Sequence, residues 1–372
     1  MKLHIFNPEH DIALAANLSN FTAPKAGRQL RHDLGFQPAI WAEGEDCVLV
    51  DDVEYARKHW GCLVAKHGND QFSKQREDLF VSNPRQLPIT EICPWGWNKA
   101  LCAQLKRIGV KENLLPDEEQ LQRIRELSHR KTAVSLLRKL QFPGTTGNSS
   151  CADLIVEVKQ ALRVYRHIVV KAPWSSSGRG VRFISDSLDE HQEQWIRNVV
   201  KTQRCIIIEP YYNKVMDFAM EFTATTEGTV RYEGLSLFET NNGAYTGNLL
   251  ATERKKQEMI SRYIPADLLK NVTEKITECL ELKDYQGPFG IDMMIVSSDL
   301  NNQSSYLLHP CVEINLRRTM GHVALALHHK LNPDGDDSFL QVMQVGYDGS
   351  SYRLNCQNAT AAAAATLSES TP

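Results

Sequence analysis

The 372 residues are 42% apolar and 23% charged, with a formal net charge of −3. A balance so near neutrality gives no basic footprint for nucleic acid and no acidic tail, leaving a small molecule as the expected partner. Nine cysteines stand singly, with no Cys-x-x-Cys pair, so neither a disulfide framework nor a zinc knuckle is expected.

The chain opens on KLHIF, an expected strand, followed by the polar turn Asn7-Pro8-Glu9-His10-Asp11. Those charges interrupt any secretory apolar core, and no run approaches the roughly 18 apolar residues of a membrane span. A cytoplasmic location is therefore expected. Further strands are expected at 38–42 (PAIWA) and 47–51 (CVLVD), and a helix at 98–110 carrying Leu101, Leu105 and Ile108. Residues 1–115 read as a mixed α/β unit. Asp117 is expected to cap a helix with Leu121, Ile124 and Leu127, and Ser128 to cap the next, with Val134, Leu137 and Leu140. Ile155, Val158, Leu162 and Tyr165 mark another amphipathic helix, leading into the strand HIVVK.

From 168 the pattern is strand, loop, strand, then a helix near 187–200 and the strand RCIIIEP. MDFAMEFTAT and TVRYEGLSLFET follow as strands joined at Glu227-Gly228, then a loop NNGAYTGN and helices at 254–263 and 267–282. GIDMMIV and SYLLHPCVEIN are two more strands across a polar turn, and Thr319 is expected to cap a last helix with Val323, Leu325 and Leu327. Divisions are expected at 116–205 and 206–348, with 349–372 a disordered tail because NCQNATAAAAATLSESTP is of low complexity. Asn358 heads a glycosylation sequon, to which no role is given.

In VVKAPWSSSGRGV, Lys171 precedes the glycines and a strand follows them. A P-loop and a dinucleotide fingerprint both require a helix there, so neither fits. What remains is a hairpin loop offering Ser175, Ser176, Ser177, Gly178, Arg179 and Gly180 to phosphates, or else an ordinary polar hairpin. Asp292 and Glu313 are charges inside otherwise apolar strands, and Asn315 shares a face with Glu313 two residues away. Converging hard oxygens without histidine or cysteine suit Mg2+ or Mn2+ completed by substrate phosphates. The competing reading pairs each acid with an arginine, and Arg317 and Arg318 stand close by.

These motifs, in this order from Lys131 to His322, resemble the ATP-grasp superfamily of carboxylate–amine and carboxylate–thiol ligases. HRKTAVSLLRKLQFPGT resembles its lysine-bearing helix, VVKAPWSSSGRGV its second lysine and phosphate loop, IIIEPYY its adenine hinge, and GIDMMIV with VEINLRR its metal strands. The resemblance implies an α/β (α+β) ATP-grasp fold: an N-terminal pre-ATP-grasp domain and two subdomains sandwiching ATP. It implies Lys131, Lys171 and the loop at the phosphates, and Glu209, Pro210, Tyr211 and Tyr212 at adenine, with the Pro210 carbonyl accepting and Tyr212 donating. It places Asp217 at the ribose, and Asp292, Glu313 and Asn315 at Mg2+ (or Mn2+). Leu316 stands where many relatives have proline, and Gly290 where some carry an arginine. Arg317, with Arg254 second, is then the candidate to stabilise the tetrahedral intermediate.

The implied activity is ATP-dependent ligation of a small carboxylate, amino-acid-like or peptide-like, to an amine through an acylphosphate. The alternatives are a kinase-type phosphotransferase and a catalytically silent nucleotide-binding regulator. The turn Asn7, Glu9, His10 and Asp11 is a candidate acceptor site, or a turn capping the next helix. PWGW (94–97), His309 and His322 read as packing or as substrate-orienting groups.

Overall fold

The computed structural model describes residues 1–67, 78–175, 180–225, 227–241, 244–300 and 303–359. Ser176, Ser177, Gly178 and Arg179 thus lie outside the described residues. The chain is a mixed α/β protein built on three sheets.

The first unit runs β1 (Lys2–Ile5), α1 (His10–Ala16), α2 (Lys25–Leu34), β2 (Cys47–Leu49), α3 (Val53–His67), β3 (Phe80–Val81), β4 (Glu91–Pro94) and α4 (Lys99–Arg107). Its strands are parallel in the order β3-β2-β1-β4. The order reverses beside β1, so the crevice between the carboxyl ends of β1 and β4 is where such sheets place their sites. Residues 37–40 form a 3-10 helix rather than the expected strand, because Pro38 fixes φ and removes a ladder donor.

The second unit contains α5 (Glu118–Leu127), α6 (Lys131–Lys139), β5 (Ser150–Ala152), α7 (Ile155–Tyr165), β6 (His167–Lys171), β7 (Val181–Ser185), α8 (Glu190–Gln203) and β8 (Ile206–Pro210). Asp117 forms a capping box with Gln120, as its spacing predicts. Ser128 ends α5 instead of starting α6: its hydroxyl donates back to the Ile124 carbonyl at 2.7 Å. The strands form an antiparallel sheet, β5-β8-β6-β7.

The third unit comprises β9 (Lys214–Ala224), β10 (Val230–Asn241), β11 (Ala244–Leu250), α9 (Glu253–Ile260), α10 (Ala266–Cys279), β12 (Gly287–Leu300), β13 (Gln303–Asn315), α11 (Met320–Leu331), β14 (Gln341–Tyr347) and β15 (Tyr352–Asn358). These strands make one antiparallel sheet, β13-β12-β9-β10-β11-β14-β15. The expected loop at NNGAYTGN is mostly β11, held on both sides by β10 and β14. The expected tail begins too early, since 352–358 is a strand and the Tyr352 N–H donates to buried Asp33 at 2.7 Å. Residues 360–372 lie outside the described residues.

Alternation along β9 and β12 decides what faces the cleft. Phe218, Met220 and Phe222 of β9, with Phe289, Ile291, Met293 and Ile295 of β12, are buried against α6 and α10. Ala219, Glu221, Gly290 and Asp292 therefore point the other way. Pro310 interrupts the β12–β13 register beyond Asp292, and β13 lies at a sheet edge, the place where a strand tolerates proline. A second core joins the first unit to the third through Phe6, Trp60, Val323, Leu327, Met343 and Leu354. No helix among the described residues is long and apolar enough to cross a membrane, and all nine cysteines are free thiols.

His10 and His309 are 1% and 0% exposed, and burial pushes each imidazole down to about 4. The folded chain keeps them neutral while the unfolded chain protonates them below about 6.5, so their contribution to stability is lost as pH falls from 6.5 towards 4. The slope is about 1.4 kcal/mol per pH unit for each group. Urea unfolding at pH 6.5 and 5 is expected to show this loss, and His309→Gln to remove part of the slope; an unchanged slope refutes the assignment for His309.

Candidate active site

The centre of the site follows from strand register. Asp292 on β12 stands directly opposite Glu313 on β13, and Gly290 opposite Asn315. Two carboxylates thus share one face with an amide. Burial, then the charges of Glu313 and Glu221, push the Asp292 carboxyl up to about 8, against a hydrogen bond from Asn315. Carboxylates held so close are relieved by a divalent cation, and the donors present are all hard oxygens. No group of three or more His, Cys, Asp or Glu side chains able to hold a metal occurs among the described residues. Asp292, Glu313 and Asn315 are hard-oxygen donors of the kind Mg2+ takes together with phosphate oxygens.

Arg317 follows β13 and reaches the first unit while staying within electrostatic range of Asp292 and Glu313. Its Nε and one terminal nitrogen each donate to Asp11 at 2.9 Å, and it also donates to the Asn315 side chain at 3.0 Å. Burial works against its charge, but Asp11 outweighs burial and keeps it firmly cationic. Next to it, the Arg318 N–H donates to the Trp95 carbonyl at 2.8 Å, and its guanidinium lies 4.4 Å from the centre of the Trp41 ring.

The candidate acceptor turn is held by side chains. Asn7 donates to the Gly96 carbonyl at 2.9 Å, and Asn98 lies 3.2 Å from His10 Nδ1 while capping α4. A Cβ on Gly96 would come within 2.6 Å of the His10 ring, so only glycine allows this seating. His10 and Asp11 line a cleft with Trp174, Ser175, Glu313 and Asn315. Glu9 turns instead to Arg31 at 2.8 Å, and Trp95 packs edge-on against Phe6 at 5.0 Å.

In the second unit Lys171 ends β6, 7% exposed, with its ammonium 2.6 Å from Glu209 on β8. Ser149 donates to the other Glu209 oxygen at 3.3 Å. The hairpin base is tight: the Ala172 N–H donates to the Gly180 carbonyl at 2.7 Å, and a Cβ on Gly180 would collide with Ser175 at 2.2 Å. Pro210 ends β8, exposed Tyr211 donates its N–H to the His167 carbonyl, and the Tyr212 hydroxyl accepts from the Asn148 N–H at 2.8 Å. Burial pushes the Tyr212 phenol up to about 12. Asp217 is engaged by Lys214 and by Thr240, the latter at 2.9 Å.

Two expected cations make their contacts elsewhere. Lys131 is exposed and lines a hollow with Glu281, Lys283 and Asp284, while Arg254 is exposed and paired with Glu258 and Asp337. The cation that meets the acids is Arg130, which no sequence pattern singled out. It is 5% exposed and donates to Glu313 at 2.7 Å, to Ser175 at 2.9 Å, and to the Ala172 carbonyl. Its only sequence signal is its place beside Lys131 at the start of a helix.

His322 is part of the scaffold. It shares the α11 cap with Thr319, and its Nε2 lies 3.1 Å from the Phe222 carbonyl. Its Nδ1 is 2.9 Å from both Thr319 Oγ1 and Glu221 Oε2 but is directed at Thr319, leaving Glu221 Oε2 without a hydrogen bond. Gly290 and Gly321 make room for this Glu221 carboxylate, since a Cβ on either would meet it at 2.6 and 1.9 Å. His309 sits against Gly147 and Tyr212 with neither ring nitrogen partnered.

No family model matches the chain, and no curated protein matches it. Solved structures are similar at a distance. N5-carboxyaminoimidazole synthetase of Staphylococcus aureus, complexed with ADP, is 14% identical with a TM-score of 0.48, covering 94% of this chain and 83% of that one. Biotin carboxylase of Campylobacter jejuni, in its beta-gamma-ATP complex, is 10% identical with a TM-score of 0.46, covering 92% and 75%. An Archaeoglobus fulgidus protein provisionally placed in the ATP-grasp superfamily is 14% identical with a TM-score of 0.45, covering 97% of this chain and all of that one.

Proposed function

We propose that the chain is an ATP-grasp enzyme that uses Mg-ATP to join a small carboxylate to an amine. The observation that carries this reading is the Asp292–Glu313 pair with Asn315, set against the lysine-bearing hairpin of another sheet. A lone acid pair is open to a purely structural explanation. An acid pair tied through one arginine to a serine- and glycine-rich hairpin is a phosphate site.

The base of ATP would lie along Glu209–Tyr212 and the phosphates beside Lys171 and Ser175. Asp292, Glu313 and Asn315 would hold Mg2+, which when bound would supply charge neutralisation at the phosphates. Lys171 reaches the phosphates from β6 while Glu209 fixes its direction. A carboxylate oxygen attacks the γ-phosphorus and ADP departs. The amine then attacks the carbonyl carbon of the acylphosphate, the C–O bond to phosphate breaks, and Arg317 faces the oxyanion. Neither step requires a nucleophilic side chain: positioning and charge are the enzyme's work. Residues 1–115 supply the acceptor side through His10 and Asp11, 116–205 the phosphate hairpin, and 206–348, extended by β15, the metal strands. The carboxylate is of amino-acid or peptide type, received at the Asp11–Arg317 pair. The setting is cytoplasmic, with no nucleic acid or membrane partner.

Mg-ATP is expected to raise the melting temperature, and ATP without a divalent ion to raise it less; equal protection argues against the metal ligands. Turnover with the right pair of substrates yields ADP, free phosphate and an amide, and Glu313→Ala reduces it at least about a hundredfold, as for loss of a key electrostatic group. Phosphate found on the acceptor instead marks a phosphotransferase. Lys171→Met leaves Glu209 buried without its counter-ion and is expected to lower stability by about 3 kcal/mol. Adding Glu209→Gln to that variant recovers much of the stability in urea melts but none of the nucleotide protection.

A further inference from the structure

Arg130 is placed unlike an ordinary structural arginine. It lies at the junction of α5 and α6, 5% exposed, and touches two different sheets at once. One terminal nitrogen donates to Glu313 at 2.7 Å, on β13 of the seven-stranded sheet. The other donates to the Ala172 carbonyl and to Ser175 Oγ at 2.9 Å, at the base of the hairpin that leaves the four-stranded sheet. Its Nε–H is buried and has no partner among the described residues. A buried donor left unpaired is costly, so this pose does not satisfy the guanidinium. What it lacks is one more acceptor at Nε, on the same edge as the terminal nitrogen that holds Glu313. That edge is the two-donor fork that recognises an oxyanion of phosphate type.

We propose that Arg130 is the resident counter-ion of Glu313 in the nucleotide-free protein, and that it exchanges this carboxylate for the terminal phosphate of ATP when a divalent cation takes Glu313. The inference rests on the Mg-ATP reading above and adds a specific positioning role to it. One guanidinium then couples two events: cation binding and recognition of the third phosphate. It also separates ATP from ADP, because the partner gained is the phosphate that ADP lacks. Without nucleotide the same arginine opposes the metal, since a cation must displace a charge-assisted hydrogen bond of 2.7 Å to reach Glu313.

The opposition gives a test that a merely structural role would not pass. Mn2+ binding is titrated by electron paramagnetic resonance on the nucleotide-free wild type, Arg130→Gln, Arg130→Lys and Glu313→Gln. Affinities for Mn2+ with β,γ-imido-ATP and with ADP are measured alongside. Arg130→Gln is expected to bind Mn2+ alone about tenfold more tightly than the wild type, about 1.4 kcal/mol. The same variant loses most of its preference for the triphosphate analogue over ADP. Arg130→Lys keeps the charge without the fork, and is expected to move Mn2+ affinity less but to lose the same preference. Glu313→Gln abolishes the tight Mn2+ response.

Unchanged or weaker Mn2+ binding in Arg130→Gln, with the wild type still binding Mn2+ and nucleotide together, overturns the exchange while leaving the ATP reading intact. A wild type that binds neither overturns both. Should Arg130→Gln not fold, Arg130→Lys decides by its triphosphate preference: retention refutes the proposal, loss supports it.

Discussion

Asp292 and Glu313 face each other on adjacent antiparallel strands, and like charges placed there repel. The surroundings of the site can be read as ways of containing that repulsion. Arg130 neutralises one acid, burial and its neighbours push the carboxyl of the other up, and Arg317 stands beyond Asn315. Such an arrangement is a poor use of a sheet if stability is the aim, because apolar side chains in both positions would pack without opposition. It is a good way to hold a cation only when a phosphorylated ligand brings the remaining oxygens.

The same two strands explain how distant parts of the chain reach one place. Their core faces, with Phe289, Ile291 and Ile314, anchor the sheet against α6 and α10. Their cleft faces are thereby fixed in direction. Arg317 clamps Asp11 and so brings the crevice of the parallel sheet to β13. Arg130 does the equivalent for the base of the β6–β7 hairpin. Two arginines, each bonded to a carboxylate, gather two other sheets around the Asp292–Glu313 pair.

Much of this was legible in the sequence, and what was not has physical causes. An acid inside an apolar strand is conspicuous, so Asp292 and Glu313 could be found, and the shared face of Glu313 and Asn315 deduced from the two-residue period, whereas the facing of Asp292 and Glu313 comes from strand register. Lys171 before a serine- and glycine-rich loop could be distinguished from a P-loop because a strand follows it. Arg130 could not be found, since a basic residue at a helix start is ordinary and only tertiary contact buries it. Glu221 was hidden likewise, because His322, which it approaches at 2.9 Å, is 101 positions away and the two glycines that admit it show their purpose only in three dimensions. β11 was read as a loop because asparagine and glycine favour turns, whereas pairing on both sides overrides that preference. β15 was absorbed into the alanine-rich tail that follows it, and its polar alternation suits the edge of the sheet.

The most direct test of a single Mg-ATP site built on opposed acids is a crystal structure with Mn2+ and β,γ-imido-ATP, with the ion located by its anomalous scattering. The account predicts one Mn2+ peak ligated by Asp292, Glu313 and Asn315 and by phosphate oxygens, with the base against residues 209–212. A nucleotide bound elsewhere, or manganese bound to the phosphates without touching Glu313, would contradict it.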